Sequence, residues 1–128
     1  MGLFLLGQAA AKDMLESGVG GSIVVVGATS SLRGGADFTP FASAKASQRS
    51  LAQSMARGLG PRGIHVSYVI IDGLIDIPRI RKMDWAKNKP DDAFLIPDEI
   101  ADAIWFLSKQ PKSAWTFELD LRPYRESW

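Results

Sequence analysis

The sequence predicts an α/β fold, ordered α-β-α-β-α-β, around a three-stranded and mostly parallel sheet. Three observations carry this. An apolar, β-branched run at Ser22–Val26 leads through a glycine-bearing loop into a long amphipathic pattern from Pro40 to Leu59. A second run, Ile64–Ile71, ends in continuously apolar residues, as strands covered on both faces do. Strand patterns alternate with helical ones, which implies right-handed crossovers between parallel neighbours.

The first helix is expected over residues 3–17, with apolar positions at Phe4, Leu5, Ala9, Ala11, Met14 and Leu15 and with Gly18 as its C-cap. Met1 and Gly2 offer no capping side chain, so the chain is expected to start inside an element. Gly18-Val19-Gly20-Gly21 turns into a strand at 22–27. A loop that leaves the carboxyl end of a parallel strand and feeds a helix is where open α/β sheets place ligands, so the chemistry is expected between Gly27 and Lys45.

The second helix, residues 40–59, begins at Pro40, which suits a residue without an N–H. Phe41, Ala44, Leu51, Ala52, Met55 and Leu59 are expected on one stripe; Ala42, Ala46, Ser50 and Ser54 form a second, small-residue stripe. Two faces imply two neighbours, the sheet and another helix. Gly58-Leu59-Gly60-Pro61-Arg62-Gly63 spells G-x-G-x-x-G but follows a helix and opens a strand, the reverse of a dinucleotide fingerprint, and reads as a turn.

His65 lies in the strand at 64–71 with no second ligand or nucleophile spaced around it and reads as structural. After Asp72-Gly73 a basic, proline-bounded stretch reaches Pro90; it reads either as a solvated loop or as a lid over a ligand cleft. Pro97 opens a third helix to about Lys109, its core face assigned to Ile100, Ile104, Trp105 and Leu107. Residues 115–121 alternate and read as the last strand.

Composition narrows the partners. At 128 residues the chain reads as one domain, and 15 Lys plus Arg against 14 Asp plus Glu give no electrostatic case for nucleic acid or an anionic membrane. The absence of cysteine excludes disulfides and thiolate metal sites, and a single histidine leaves no zinc cluster, so no metal site is expected. Met1–Leu6 lacks a basic n-region, is too short to span a membrane, and has Leu6 where myristoylation needs Ser or Thr. A cytoplasmic domain is expected.

Several stretches together resemble the C-terminal half of a short-chain dehydrogenase/reductase: Gly2-Leu3-Phe4, Gln8-Ala9-Ala10, Gly18-Val19-Gly20-Gly21-Ser22-Ile23-Val24, Leu32-Arg33-Gly34, Phe41-Ala42-Ser43-Ala44-Lys45, Gly63-Ile64-His65-Val66, Asp72-Gly73-Leu74-Ile75 and Phe106-Leu107. The resemblance implies a partial Rossmann-like, doubly wound fold and an NAD(P)-dependent oxidoreductase acting on a carbonyl or alcohol. In that family a tyrosine hydroxyl exchanges a proton with the substrate while the cofactor transfers hydride. A lysine lowers that hydroxyl's pKa and holds the ribose, a serine positions the substrate oxygen, and an asparagine completes a relay.

Carried onto this chain, the lysine is Lys45, the tyrosine position is Phe41 and the serine position is Ala28, with Thr29 and Ser30 close enough for a one-residue shift to bring in a hydroxyl. Lys45 reads equally as the family's lysine or as an exposed helix lysine. The segment that contacts nicotinamide resembles Asp72-Gly73-Leu74-Ile75, where Asp72 replaces proline and Ile75 keeps a backbone contact; Ile77 replaces the threonine. The asparagine and the pyrophosphate-binding turn would lie upstream of Met1. The resemblance therefore names NAD or NADP as cofactor, not bound by this chain alone, and implies a truncated, inactive enzyme. The alternative is a non-catalytic oligomerisation module. Either way a homodimer or larger homo-oligomer is expected, through helices 3–17 and 40–59 and the exposed edge of strand 22–27.

Overall fold

A computed structural model describes residues 1–127. Helix α1 spans Gly2–Ser17, strand β1 Gly21–Ala28, helix α2 Thr39–Leu59 and strand β2 Ile64–Ile71. The short strand β3 at Leu74–Ile75, helix α3 at Pro78–Arg81 and strand β4 at Phe94–Leu95 precede helix α4, Pro97–Ser108, and strand β5, Glu118–Leu121.

The main sheet has the order β1-β2-β5, and both pairings are parallel. Gly21 lies opposite Ile64 and Ala28 opposite Ile71, so β1 and β2 run the same eight steps together. Every residue of β2 is buried, which explains its unbroken apolar end. Its side chains alternate between two helical layers. Val69 and Ile71 pack with Ile100 and Leu107 of α4, whereas Tyr68 and Ile70 pack with Ala52 of α2, and Ile64 and Val66 with Ala11 of α1. Helices on both faces of a parallel sheet make the expected doubly wound arrangement.

Two glycines are required by geometry. Gly18 caps α1 at φ 69°, a left-handed conformation that costs glycine nothing, and its N–H returns to the Leu15 carbonyl. At Gly27 an added Cβ would overlap the ring of Tyr68, which is fully buried and donates its hydroxyl to the Lys45 carbonyl at 3.3 Å. The bare backbone of β1 thus lets Tyr68 reach α2.

The structure corrects four expectations. Phe41 and Ala44 are exposed, and Ala42 joins Ala52 on the buried side of α2, because positions 42, 45, 49, 52 and 56 form the stripe that follows the helical period over the sheet. Trp105 is 64% exposed: Ile100, Ile104 and Leu107 share the face of α4 that meets the sheet, and Trp105 falls a third of a turn away, under the Lys109 ammonium at 4.2 Å. The last strand begins at Glu118 and not at Trp115. Gln110 takes the place of a strand partner there, its side chain accepting from the Thr116 N–H and donating to the Thr116 hydroxyl, both at 2.8 Å. Finally, the stretch after Asp72 is not a plain loop, since it holds α3 and a second parallel pair in which Leu74 faces Phe94 and Ile75 faces Leu95. Two-residue strands leave no periodicity to read.

His65 is buried in β2, bonded through Nε2 to the Thr116 carbonyl at 2.8 Å and stacked on Trp115 with ring centroids 4.8 Å apart. The Gly58–Gly63 run ends α2 and opens β2 at the amino ends of the strands. One edge of β1 has no strand partner among the described residues.

Candidate functional site

The carboxyl ends of β1 and β2 open into a cleft of about 900 Å³. Its sheet side is made by Ala28, Thr29, Ser30, Asp72, Gly73 and Ile75; Phe41 and Lys45 enter from α2. All eight residues expected at the site therefore line one cavity, although they come from three separate stretches of chain.

Lys45 reaches the mouth of β1, its Nζ donating to the Val26 carbonyl at 3.3 Å. One turn earlier on α2, the Phe41 ring centroid lies 5.8 Å from that ammonium. Tyr68 holds this part of α2 against the sheet through the Lys45 carbonyl. The lysine is thus fixed at the cleft by two backbone carbonyls, one that it bonds and one that it owns.

Ala28 ends β1 in extended conformation, and Thr29–Ser31 form a three-ten turn. The three hydroxyls of this turn have different fates. Thr29 Oγ1 donates to Asp72 Oδ1 at 2.5 Å, and Ser31 Oγ donates to the Ala28 carbonyl at 2.7 Å in a buried position. Ser30 is half-buried at the cleft wall and has no protein partner among the described residues.

Asp72 is buried at the end of β2, where its N–H donates to the Leu121 carbonyl at 2.8 Å. Its second carboxylate oxygen lies 3.3 Å from Arg122 Nη1, and Arg122 also contacts Asp120. The charge of Asp72 is therefore compensated before any ligand arrives. Ile75 sits in β3, and its carbonyl already accepts the Ile77 N–H at 2.9 Å.

The opposite wall adds Phe38, Ile80 and Trp85, which no motif singles out, to Ile77 at the threonine position. Phe38, Ile77, Ile80 and Trp85 face the cleft from the turn before α2 and from the stretch after β3. That stretch is anchored by Arg81, which grips Asp76 with two bonds at 2.7 and 2.8 Å, reaches Asp91 at 2.8 Å and lies 3.8 Å over the Phe94 ring. The hydrogen bonds that Arg81 donates hold the Asp76 carboxyl below its ordinary value, and the same bonds raise the Arg81 guanidinium. The stretch is a structured wall of the cleft in place of the solvated loop, and it stands where the other reading set a lid. The available signal was the charge spacing of Asp76, Arg81 and Asp91.

Among the described residues no three His, Cys, Asp or Glu side chains gather as a metal-binding group, and no helix is long and apolar enough to cross a membrane.

Residues 1–118 match the family model described as Enoyl-(Acyl carrier protein) reductase. The chain belongs to the short-chain dehydrogenase/reductase family. Within the family it is 36% identical over 115 residues to an L-rhamnose 1-dehydrogenase (NAD(P)(+)) of Azotobacter vinelandii, covering 84% of this chain and 44% of that protein. It is 34% identical over 115 residues to a (3R)-3-hydroxyacyl-CoA dehydrogenase of Mus musculus, covering 85% and 44%. The crystal structure of a short-chain dehydrogenase from Rhodopseudomonas palustris superposes with a TM-score of 0.71 at 46% identity, over 92% of this chain and 45% of that one. The chain spans a little under half the length of these relatives. Its three parallel strands and flanking helices are the family's Rossmann-like architecture.

For a nicotinamide cofactor, the residues present fit one end only. The Lys45 ammonium and the backbone around Gly73 face the cleft. The single G-x-G-x-x-G run lies at the far, amino ends of the strands and forms no cradle there.

Proposed function

We propose that the chain supplies the substrate-facing and nicotinamide-facing side of an NAD(P)-dependent oxidoreductase site for a carbonyl or alcohol, and that it does not transfer hydride alone. The observation that carries this is the pairing of Lys45 and Phe41 at the cleft, with Nζ 5.8 Å from the ring. Lys45 would hold the nicotinamide ribose, and the cofactor when bound supplies the hydride. The phenyl ring at the tyrosine position has no proton to exchange, and a positioned general acid contributes roughly 10²–10⁴ in rate. Ser30 is the hydroxyl left to orient a substrate oxygen. Pyrophosphate contacts belong, in this reading, to the part of the relatives' fold that this chain does not match. The site works in the cytoplasm.

Titration calorimetry of the purified chain with NADH and with NADPH tests this: no saturable heat is expected. Micromolar binding of either cofactor would overturn the claim that the chain needs a complementary half.

A second reading, a non-catalytic association module, is favoured by exposed apolar surface away from the cleft. Phe4, Leu5 and Leu6 of α1 are 51%, 56% and 71% exposed, beside an apolar groove between α1 and α2 and the open edge of β1. Association as a homodimer or larger assembly is expected in light scattering, and a clean 13.9 kDa monomer would count against it.

A further inference from the structure

We propose that the cleft selects a neutral, hydrophobic molecule bearing a single hydroxyl or carbonyl oxygen, in preference to a polyhydroxylated or ionised one. This rests on the reading of the cleft as substrate-facing and names the class of molecule it takes.

The walls come first. Phe38 and Phe41, at the start of α2, and Trp85, from the stretch after β3, present three aromatic rings, each about half exposed, and Ile77 and Ile80 complete the same surface. Single apolar side chains on a surface are ordinary; five large ones converging on one concavity of about 900 Å³ mark a site that buries an apolar ligand. The phenyl ring at position 41 extends this wall where a phenol would have interrupted it.

The polar inventory is short. Thr29 spends its proton on Asp72, and Asp72 is held by Thr29 and Arg122, so neither turns an uncommitted donor or charge to the cleft. Ser31 is turned to the Ala28 carbonyl. Ser30 alone of these hydroxyls has no protein partner among the described residues, which provides for one ligand oxygen. A sugar placed here would set its remaining hydroxyls against Phe38, Ile77, Ile80 and Trp85, and each polar group desolvated without a partner weakens binding by about tenfold or more.

Charge points the same way. Among the described residues, the charged side chains that line the cleft besides the neutralised Asp72 are Lys45, at the mouth of β1, and Glu126, after β5. Among the described residues that leaves one positive and one negative group at the cleft, with no net preference for an ion.

The test is saturation-transfer NMR on the purified chain without cofactor, with naphthylmethanol as the single-oxygen probe and glucose as the polyol. Saturable binding of naphthylmethanol is expected, with glucose weaker by about tenfold or more. Trp85→Ala and Phe38→Ala should each weaken naphthylmethanol several-fold, and Ser30→Ala should bring it down to the level of methylnaphthalene. Trp105→Ala removes an equally exposed indole on α4 and should change nothing. All these side chains are partly or largely exposed, and unchanged thermal melting by circular dichroism verifies the fold of each variant. Absence of saturable naphthylmethanol binding, equal binding of glucose, or indifference to both ring deletions overturns the proposal. Because no nicotinamide is present, a failed cofactor prediction and a failed ligand-class prediction give different results.

Discussion

Thr29 and Asp72 are 43 positions apart in sequence and meet at 2.5 Å, the hydroxyl donating to the carboxylate. The contact joins the turn after β1 to the end of β2, and Arg122 extends it to the segment after β5. The two strand ends that floor the cleft, and the end of β5 beside them, are therefore held together by side chains as well as by the sheet.

Thr29→Val removes the hydroxyl and keeps the shape, leaving Asp72 one acceptor contact short. A loss of about 1–2 kcal/mol in urea denaturation is expected. Asp72→Ala should cost more, about 2–3 kcal/mol, because it strips a largely buried partner from both Thr29 and Arg122. Equal stability of the two variants and the parent would show that the bridge carries no folding energy.

Gly27→Ala should destabilise the fold by about 2 kcal/mol or more, since the new methyl group would overlap the ring of a fully buried Tyr68. Tyr68→Phe should cost about 1 kcal/mol through the lost hydroxyl contact to the Lys45 carbonyl. Adding Tyr68→Ala to Gly27→Ala should make the double loss smaller than the sum. Additive losses would mean that the two residues do not press on each other.

The Arg81 anchor of the cleft wall is sensitive to acid. Asp76 has a folded-state pKa below its ordinary 3.8, so its contribution is fully present above that value. It disappears as the pH falls through the lower folded value. Carboxyl carbon NMR should show Asp76 titrating below 3.8, with the surroundings of Trp85 changing in the same range. Asp76→Asn should abolish the coupled change. An Asp76 that titrates at its ordinary value would show that Arg81 does not hold it.

Phe41→Tyr restores a phenol at a half-exposed position and should leave thermal stability unchanged. With the chain alone, no oxidation of NADH by a ketone is expected from this variant, because the phenol restores proton exchange and adds no pyrophosphate contact. Loss of NADH absorbance above the uncatalysed rate would show that the missing proton was the whole deficit.

Much of this was legible because it rests on local pattern. The continuously apolar end of Ile64–Ile71 reads as a strand covered on both sides, and the loop after β1 places Ala28, Thr29, Ser30, Phe41 and Lys45 at one strand end. What escaped depends on distant partners. Trp105 reads as core because it is apolar, but its direction on α4 is set by where the sheet lies. Asp72 could be seen to replace a proline, yet its bonds to Thr29 and Arg122 join residues that no spacing rule connects. Phe38 and Trp85 carry no periodic signal at all; Trp85 becomes part of a wall facing Phe38 only once Arg81 has folded the stretch from Asp76 to Asp91.

The sheet contains no hairpin. Gly21 must find Ile64, and Tyr68 must find Glu118, across dozens of intervening residues. Loop-closure entropy is paid before any ladder bond rewards it, so assembly should be slow relative to the helices, whose contacts are local. Until the ladder closes, the apolar run destined for the middle of the sheet is open to other nascent chains. The yield of native protein will therefore depend on concentration and on chaperone supply during synthesis.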